Sequence, residues 1–348
     1  MTVSMLGPPS TAPAPTFAHL VRLSDDTGLF EHARHGVVRR GHGYCTDDVA
    51  RGLVVTAREP EPSATVTGLT ERYLGFLTHA QAADGTFHNR LGYDRRWRDE
   101  PGLGDWWGRA IWGLGTAAAR SPAPWVREEA RTAFALGAAR RSPAPRAMAF
   151  AGLGAAEVLR ADPGDPVAGA LLSDAARAVV GGAPPYPLMG VDWFWPDDRL
   201  TYANAALAEV VIAAGRYDGD ASLLATGLRM LGWLRDLQTR DGRLSVVPVA
   251  GWRRGGPRPR YDQQPIEVAA LADACVTAAG ATGDPSWEVT LRRCVGWFLG
   301  ENDAGAPMWD PETGGGFDGL TAAGPNLNQG AESTLAFVAT LQHARRWS

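Results

Sequence analysis

The chain has 348 residues, 45% hydrophobic and 21% charged. A chain of this length can bury about three quarters of its unfolded surface in one large domain. Basic residues number 34 against 38 acidic ones, a net charge of -4, so no basic field exists for nucleic acid. No lysine occurs in the sequence, which excludes a Walker A phosphate loop, a Schiff-base lysine and a pyridoxal phosphate anchor.

Residues 1–16 are rich in Pro, Ser and Ala, without the basic start and apolar run of a signal peptide. They are expected to be a flexible tail on a cytoplasmic protein, with residues 17–348 forming a single domain. No apolar run reaches the length of about 18 residues needed to span a bilayer, so no membrane partner is expected. Cys45, Cys275 and Cys294 are odd in number and far apart, which argues against a disulfide framework and a cysteine zinc site.

An internal repeat organises the chain. Leu74-Gly75-Phe76-Leu77, Gln81, Asp84-Gly85 and Phe87 align at one constant offset with Leu231-Gly232-Trp233-Leu234, Gln238, Asp241-Gly242 and Leu244. A looser copy follows at Val295-Gly296-Trp297-Phe298-Leu299, Asp303 and Gly305. An apolar helix closed by a glycine turn therefore recurs, the signature of stacked helical hairpins.

Alanine-rich segments with helical spacing of apolar residues lie at Asp48–Ala57, Trp107–Ala119, Arg146–Leu159, Asn204–Gly215, Pro265–Ala279 and Ala331–Ala344. More charged helical segments alternate with them, such as Trp125–Arg140, Ser222–Gln238 and Pro285–Leu299, with a first one in Phe17–His35. Leu244–Val249 is the best strand candidate. Six inner and about six outer helices predict an all-α (α/α)6 toroid, in which small residues let the inner backbones approach one axis. The inner N-termini then gather at one mouth, where unpaired N–H groups favour carboxylates.

Five of the six inner starts are polar. They read Thr46-Asp47-Asp48; Asp105-Trp106-Trp107-Gly108-Arg109; Tyr202-Ala203-Asn204; Asp262-Gln263-Gln264-Pro265-Ile266-Glu267; and Asn326-Leu327-Asn328-Gln329-Gly330-Ala331-Glu332. Only Pro143-Ala144-Pro145-Arg146 is bland. Asp and Asn are common helix caps, yet one cap per helix does not use up this many carboxylates and amides. The surplus predicts a pocket for a polar ligand such as a sugar.

Of 13 tryptophans, Trp106, Trp107, Trp193, Trp195, Trp252 and Trp309 are expected in loops near the mouth, where rings can stack on sugars. Trp193-Phe194-Trp195 could equally roof the core. Glycoside hydrolysis needs a protonated carboxyl and an ionised one across a cavity, and the candidates are Asp48, Asp105, Glu267 and Glu332. Inversion is the favoured outcome for this barrel type. Expected substrate contacts are His42, Asp47, Trp106, Trp107, Arg109, Trp193, Trp195, Tyr202, Asn204, Trp252, Asp262, Gln263, Gln264, Asn328 and Gln329. Asp47 and Asp262 could instead be caps.

Weaker signals add no cofactor. Gly314-Gly315-Gly316-Phe317-Asp318-Gly319 matches G-x-G-x-x-G but follows a turn, so it reads as a loop. Asp47-Asp48 lacks the further acid of a magnesium motif, because Ala50 and Arg51 follow, and His32 and His35 lack zinc partners. Arg253, Arg254, Arg258 and Arg260 form either an anion clamp or a solvated loop.

The motifs Tyr44-Cys45-Thr46-Asp47-Asp48-Val49-Ala50-Arg51, Asp105 with Gly108-Arg109-Ala110, Leu200-Thr201-Tyr202-Ala203-Asn204, Asp262-Gln263-Gln264-Pro265-Ile266-Glu267 and Asn328-Gln329-Gly330-Ala331-Glu332-Ser333-Thr334 resemble a poorly characterised bacterial family. Its members are α/α-toroid domains found alone or fused to glycosyltransferases, often near mannoside-processing enzymes. The resemblance covers roughly residues 30–345. It implies a carbohydrate-active barrel with Asp48, Asp105, Glu267 and Glu332 lining the cavity, a carbohydrate substrate and a possible glycosyltransferase partner. This chain departs from the family pattern at Gly104 and Trp107, where an acid and a histidine are expected, and at Ala203, where Asp is usual. The alternatives to a hydrolase are a non-catalytic sugar-binding domain and a sugar isomerase or epimerase, which would call for histidines as acid and base.

Overall fold

A computed structural model describes residues 12–181 and 192–345. Six inner helices, α2 (Thr46–Ala57), α4 (Asp105–Arg120), α6 (Pro145–Ala161), α8 (Ala205–Asp218), α10 (Pro265–Thr282) and α12 (Ala331–Arg345), alternate along the chain with outer helices. The outer ones are α1 (Ala18–Leu23), α3 (Ala64–Ala80), α5 (Pro124–Ala138), α7 (Pro166–Val180), α9 (Ala221–Leu237) and α11 (Ser286–Leu299). Each inner helix packs on the next, and α12 packs back on α2, which closes the ring. Helix α1 lies against α12, so the first outer helix completes the last hairpin. The fold is an (α/α)6 toroid.

Small residues permit the ring. Gly115 of α4 and Gly154 of α6 face each other so closely that a methyl group on Gly115 would overlap the Gly154 carbonyl, and one on Gly154 the Ile111 carbonyl. Only glycine allows that approach of two helix backbones. All three copies of the sequence repeat are outer helices followed by glycine turns, with Gly85, Gly242 and Gly305 at positive φ.

Side-chain caps occur on three of the outer helices. Ser63, Asp165 and Asp220 cap the outer helices α3, α7 and α9 through their side chains. At the starts of α2, α4, α6, α8 and α10 the N-cap residue makes no such bond. The polar groups of these inner starts are therefore not spent on capping their own helices.

Strands among the described residues are two or three residues long. The expected strand Leu244–Val249 contributes only Leu244, paired through Arg243–Leu244 with Thr239–Arg240. The N–H groups of Ser245, Val246 and Val249 donate instead to Gln238 O, Gln263 Oε1 and Asp262 O. Residues 1–11 of the expected tail lie outside the described residues. No helix of the described residues is long and apolar enough to cross a membrane.

Candidate active site

An α-helix turns about 100° per residue, so positions three, four and seven apart share a face. On α10 the inward face is Ile266, Ala269, Ala270 and Asp273; on α12 it is Glu332, Leu335, Ala336 and Ala339. On α2 it runs Arg51, Val54, Val55 and Arg58. These stripes line a string of three hollows along the barrel axis: a polar mouth, an apolar waist and a charged floor.

The mouth is a cavity of about 490 Å³, within the range usual for small-molecule sites. Its walls include Asp47, Asp48 and Arg51 of α2, Asp105 and Trp106 of α4, and Glu332 of α12. Arg51 is the hub: its guanidinium pairs with Asp47 and Asp48, and its Nη2 lies 2.9 Å from Glu332 Oε2. Asp47, Asp48 and Glu332 each offer an oxygen within 4.8 Å of the others, a spacing compatible with a cation, and the guanidinium already bridges all three. Arg109 Nε lies 3.1 Å from Asp47 Oδ1.

Burial pushes the Asp48 carboxyl up to about 8, because the Arg51 charge offsets only part of the cost and Glu332 and Asp47 add repulsion. Across the mouth Asp105 accepts a hydrogen bond from the Tyr202 hydroxyl. Tyr202 is itself held by Arg146, which donates to its carbonyl and to Thr201 Oγ1 and lies over its ring. The bland third inner start therefore contributes Arg146, a group that orients this wall.

Asp47, Asp48, Asp105, Trp106, Tyr202, Gln264 and Glu332 are brought together on this one cavity. Other expected residues lie elsewhere. Glu267 is buried one position off the inward stripe of α10 and is not part of the cavity wall. It accepts from Asn204 N at 3.0 Å, Asn204 Nδ2 at 3.0 Å and Gln238 Nε2 at 3.2 Å, so it ties α8 and α9 to α10. Burial outweighs these bonds and raises its pKa. Asn204 is used up in the same tie. Gln263 is buried among Trp297, Val246, Arg260 and Asp303, and Gln329 between Asp310 and Thr313.

Trp107 points outward and donates to Gly137 O in α5. Trp193 and Trp195 are buried against Trp233, and Trp193 also meets Trp252, so these rings roof the core instead of facing the mouth. Bulky aromatic surface next to helix α9 is more stably placed there than in water. His42 is exposed and meets the His32 ring edge-on, Asp262 is exposed, and Asn328 accepts from His35 N. In the arginine run Arg253 pairs with Asp198 and Arg260 with Asp303, and the half-buried Arg258 donates to Ser245 O.

Sequence reasoning passed over Arg51 as hub, Glu31 and Arg90, which pair on the mouth wall, and the entire floor. At the floor Arg58 Nη1 and His343 Nε2 each lie 2.6 Å from Asp273 Oδ1, and Arg120 Nε is 2.7 Å from Glu157 Oε2. Burial opposes the charge on Asp273, but Arg58 and His343 prevail and hold its pKa well below the usual range. Burial and then Asp273 raise Glu209. The signal was present, since charged residues recur in the alanine-rich inner segments at the spacing of one face.

Solved structures that share the architecture act on sugars by their names. The cellobiose 2-epimerase of Bacillus thermoamylovorans superposes with a TM-score of 0.72 over 95% of this chain and 96% of its own, at 10% identity. A sugar epimerase from a ruminal bacterium gives 0.68 over 94% and 95%, at 13% identity. The GH76 α-mannanase of Bacteroides thetaiotaomicron gives 0.61 over 94% of each chain, at 9% identity. The shared property is the toroid. No protein-family model and no curated protein sequence matches the chain.

Proposed function

We propose that this protein is a glycoside hydrolase acting on a short oligosaccharide or glycoconjugate held in the mouth. Asp48 is the general acid that protonates the leaving oxygen, and Asp105 is the base that activates water. The observation that carries this reading is the polar cavity whose wall brings Asp48, a carboxyl whose pKa burial raises, together with Asp105. Trp106 and Tyr202 line the same cavity, and the surrounding carboxylates and Arg51 offer partners for hydroxyls.

Glu332 has a different part. Its oxygen lies within 4.8 Å of one on Asp48, closer than the roughly 6.5–9.5 Å that leaves room for an attacking water. It raises the Asp48 pKa and anchors Arg51 instead. With Asp105 as base, water attacks directly and the anomeric configuration inverts.

Neighbours of the same fold named as epimerases suggest proton transfer as a second chemistry. His32 lines the mouth wall and the His42 ring lies edge-on against it, 4.7 Å between centroids, so a pair of histidines for such chemistry stands at the same cavity as the carboxylates. Release of reducing sugar from a panel of oligosaccharides tests the proposal, with proton NMR reading the first anomer formed. Cleavage that is lost in Asp48→Asn and Asp105→Asn while ligand binding survives supports it. Tight glycan binding without any cleavage would replace it with a binding domain.

A further inference from the structure

The waist below the mouth is a cavity of about 50 Å³ walled by Val54, Phe150, Ala206, Ile266, Leu335 and Ala336. Arg58, Glu209 and Asp273 line it where it meets the floor, but most of the wall gives water no hydrogen bonds, so a small apolar group fits against the Val54, Leu335 and Ala336 side. The waist shares Arg51 and Glu332 with the mouth, and Arg109 also lines it. Arg109 is 2% exposed, its guanidinium lies 3.8 Å from the centroid of the Phe150 ring, and its Nη2 has no hydrogen-bond partner. Arg51 Nε is likewise without one. Two guanidinium groups thus leave N–H donors unmet at the edge of an apolar hollow.

Buried charged donors without acceptors are costly, and arginine can only donate. The missing group is therefore an acceptor. A carboxylate would suffer repulsion from Asp47 and Glu332, so a neutral carbonyl suits the place better. A hydroxyl pushed into the waist would lose its water partners to apolar walls. A carbonyl that carries a methyl group satisfies both halves: oxygen toward the arginines, methyl into the waist.

We infer that the waist is a subsite for an acetyl substituent on the sugar, amide- or ester-linked, with its carbonyl oxygen bound by Arg109 and Arg51 and its methyl seated between Ala206, Leu335 and Ala336. This rests on the mouth being a sugar site. Calorimetric titration of the full chain tests it with N-acetylglucosamine and N-acetylmannosamine against glucosamine, mannosamine, glucose and mannose. Methyl 6-O-acetylglucoside against methyl glucoside separates the ester from the amide. At least one acetylated sugar is expected to bind about tenfold or more tightly than its unacetylated parent, a difference of ~1.4 kcal/mol.

Equal affinities within every pair, or no binding by any acetylated sugar, would overturn the inference. Ala336→Leu, which fills the waist, is expected to bring the acetylated sugar down to the affinity of its parent; a preference that persists in the folded variant would also overturn it. The wild-type panel decides independently of how that variant folds. Acetyl preference without hydrolysis would remove the hydrolase reading alone, and hydrolysis without acetyl preference would remove this inference alone.

Discussion

Glu267→Gln separates a structural carboxylate from a catalytic one. The two Glu267 oxygens accept three hydrogen bonds, from Asn204 N, Asn204 Nδ2 and Gln238 Nε2, in a site shut off from solvent. A glutamine keeps one oxygen and brings an NH₂ group that can only donate. In its better orientation the oxygen keeps Asn204 Nδ2 and Gln238 Nε2, and the NH₂ faces the Asn204 backbone N–H. Side-chain amides can turn round to adapt; a backbone N–H cannot. One buried donor is left without an acceptor, at a cost of about 1–3 kcal/mol. Unfolding entropy of about 2.1 cal/mol/K per residue makes 1 kcal/mol worth about 1.4 °C in a chain of this length. The expected fall in melting temperature by calorimetry is thus about 1–4 °C, with glycoside cleavage at 25 °C within about threefold of wild type, because Glu267 is off the mouth wall. An unchanged melting temperature combined with a loss of more than about 100-fold in rate, the size of a lost acid or base, would refute this reasoning.

The ring and its floor carry further expectations. Gly115→Ala drives a methyl group into the Gly154 carbonyl and should cost about 1–3 kcal/mol, whereas Gly68→Ala on α3, where a methyl group meets open space, should add about 0.4–1 kcal/mol; urea unfolding of the two variants checks the contrast. Asp273→Asn takes away the negative charge nearest Arg58 and leaves Glu157 at 4.0 Å as its ion-pair partner, so stability should fall by about 1–3 kcal/mol by the same assay. Tyr202→Phe removes the hydroxyl that holds Asp105, and kcat of cleavage should drop about tenfold or more with a melting temperature close to wild type.

The toroid was legible because its evidence is periodic. Alanine-rich segments of helical spacing recur six times, and the repeat anchored on Gln81 and Gln238 marks outer helices with their turns. The convergence of Asp48, Asp105 and Glu332 followed from the parallel run of inner helices. Glu267 was harder, since it also begins an inner helix, yet one residue of rotation, about 100°, turns it from the axis to the α8 side. Its phase could have been read from the stripe Ile266, Ala269 and Asp273, on which Glu267 does not fall. Trp193 and Trp195 were ambiguous for another reason: a loop has no period, and only tertiary packing on Trp233 decides that they roof the core. Arg146 shows the converse, where a start with no carboxylate or amide still supplies a group that orients Tyr202.

The pH dependence of kcat/KM for cleavage of aryl glycosides, measured in wild type and Asp48→Asn, tests the general acid most directly. Asp48 has a raised pKa, so its active protonated form persists below about 8 and is lost above it. Wild-type kcat/KM should therefore fall as pH rises through about 8. Asp48→Asn should lose about 10²–10⁴-fold on a poor leaving group such as an alkyl glycoside, and far less on a dinitrophenyl glycoside, whose departure needs no proton. A variant that cleaves both substrates like wild type, or a wild-type profile with no descending limb between pH 7 and 9, would contradict the account.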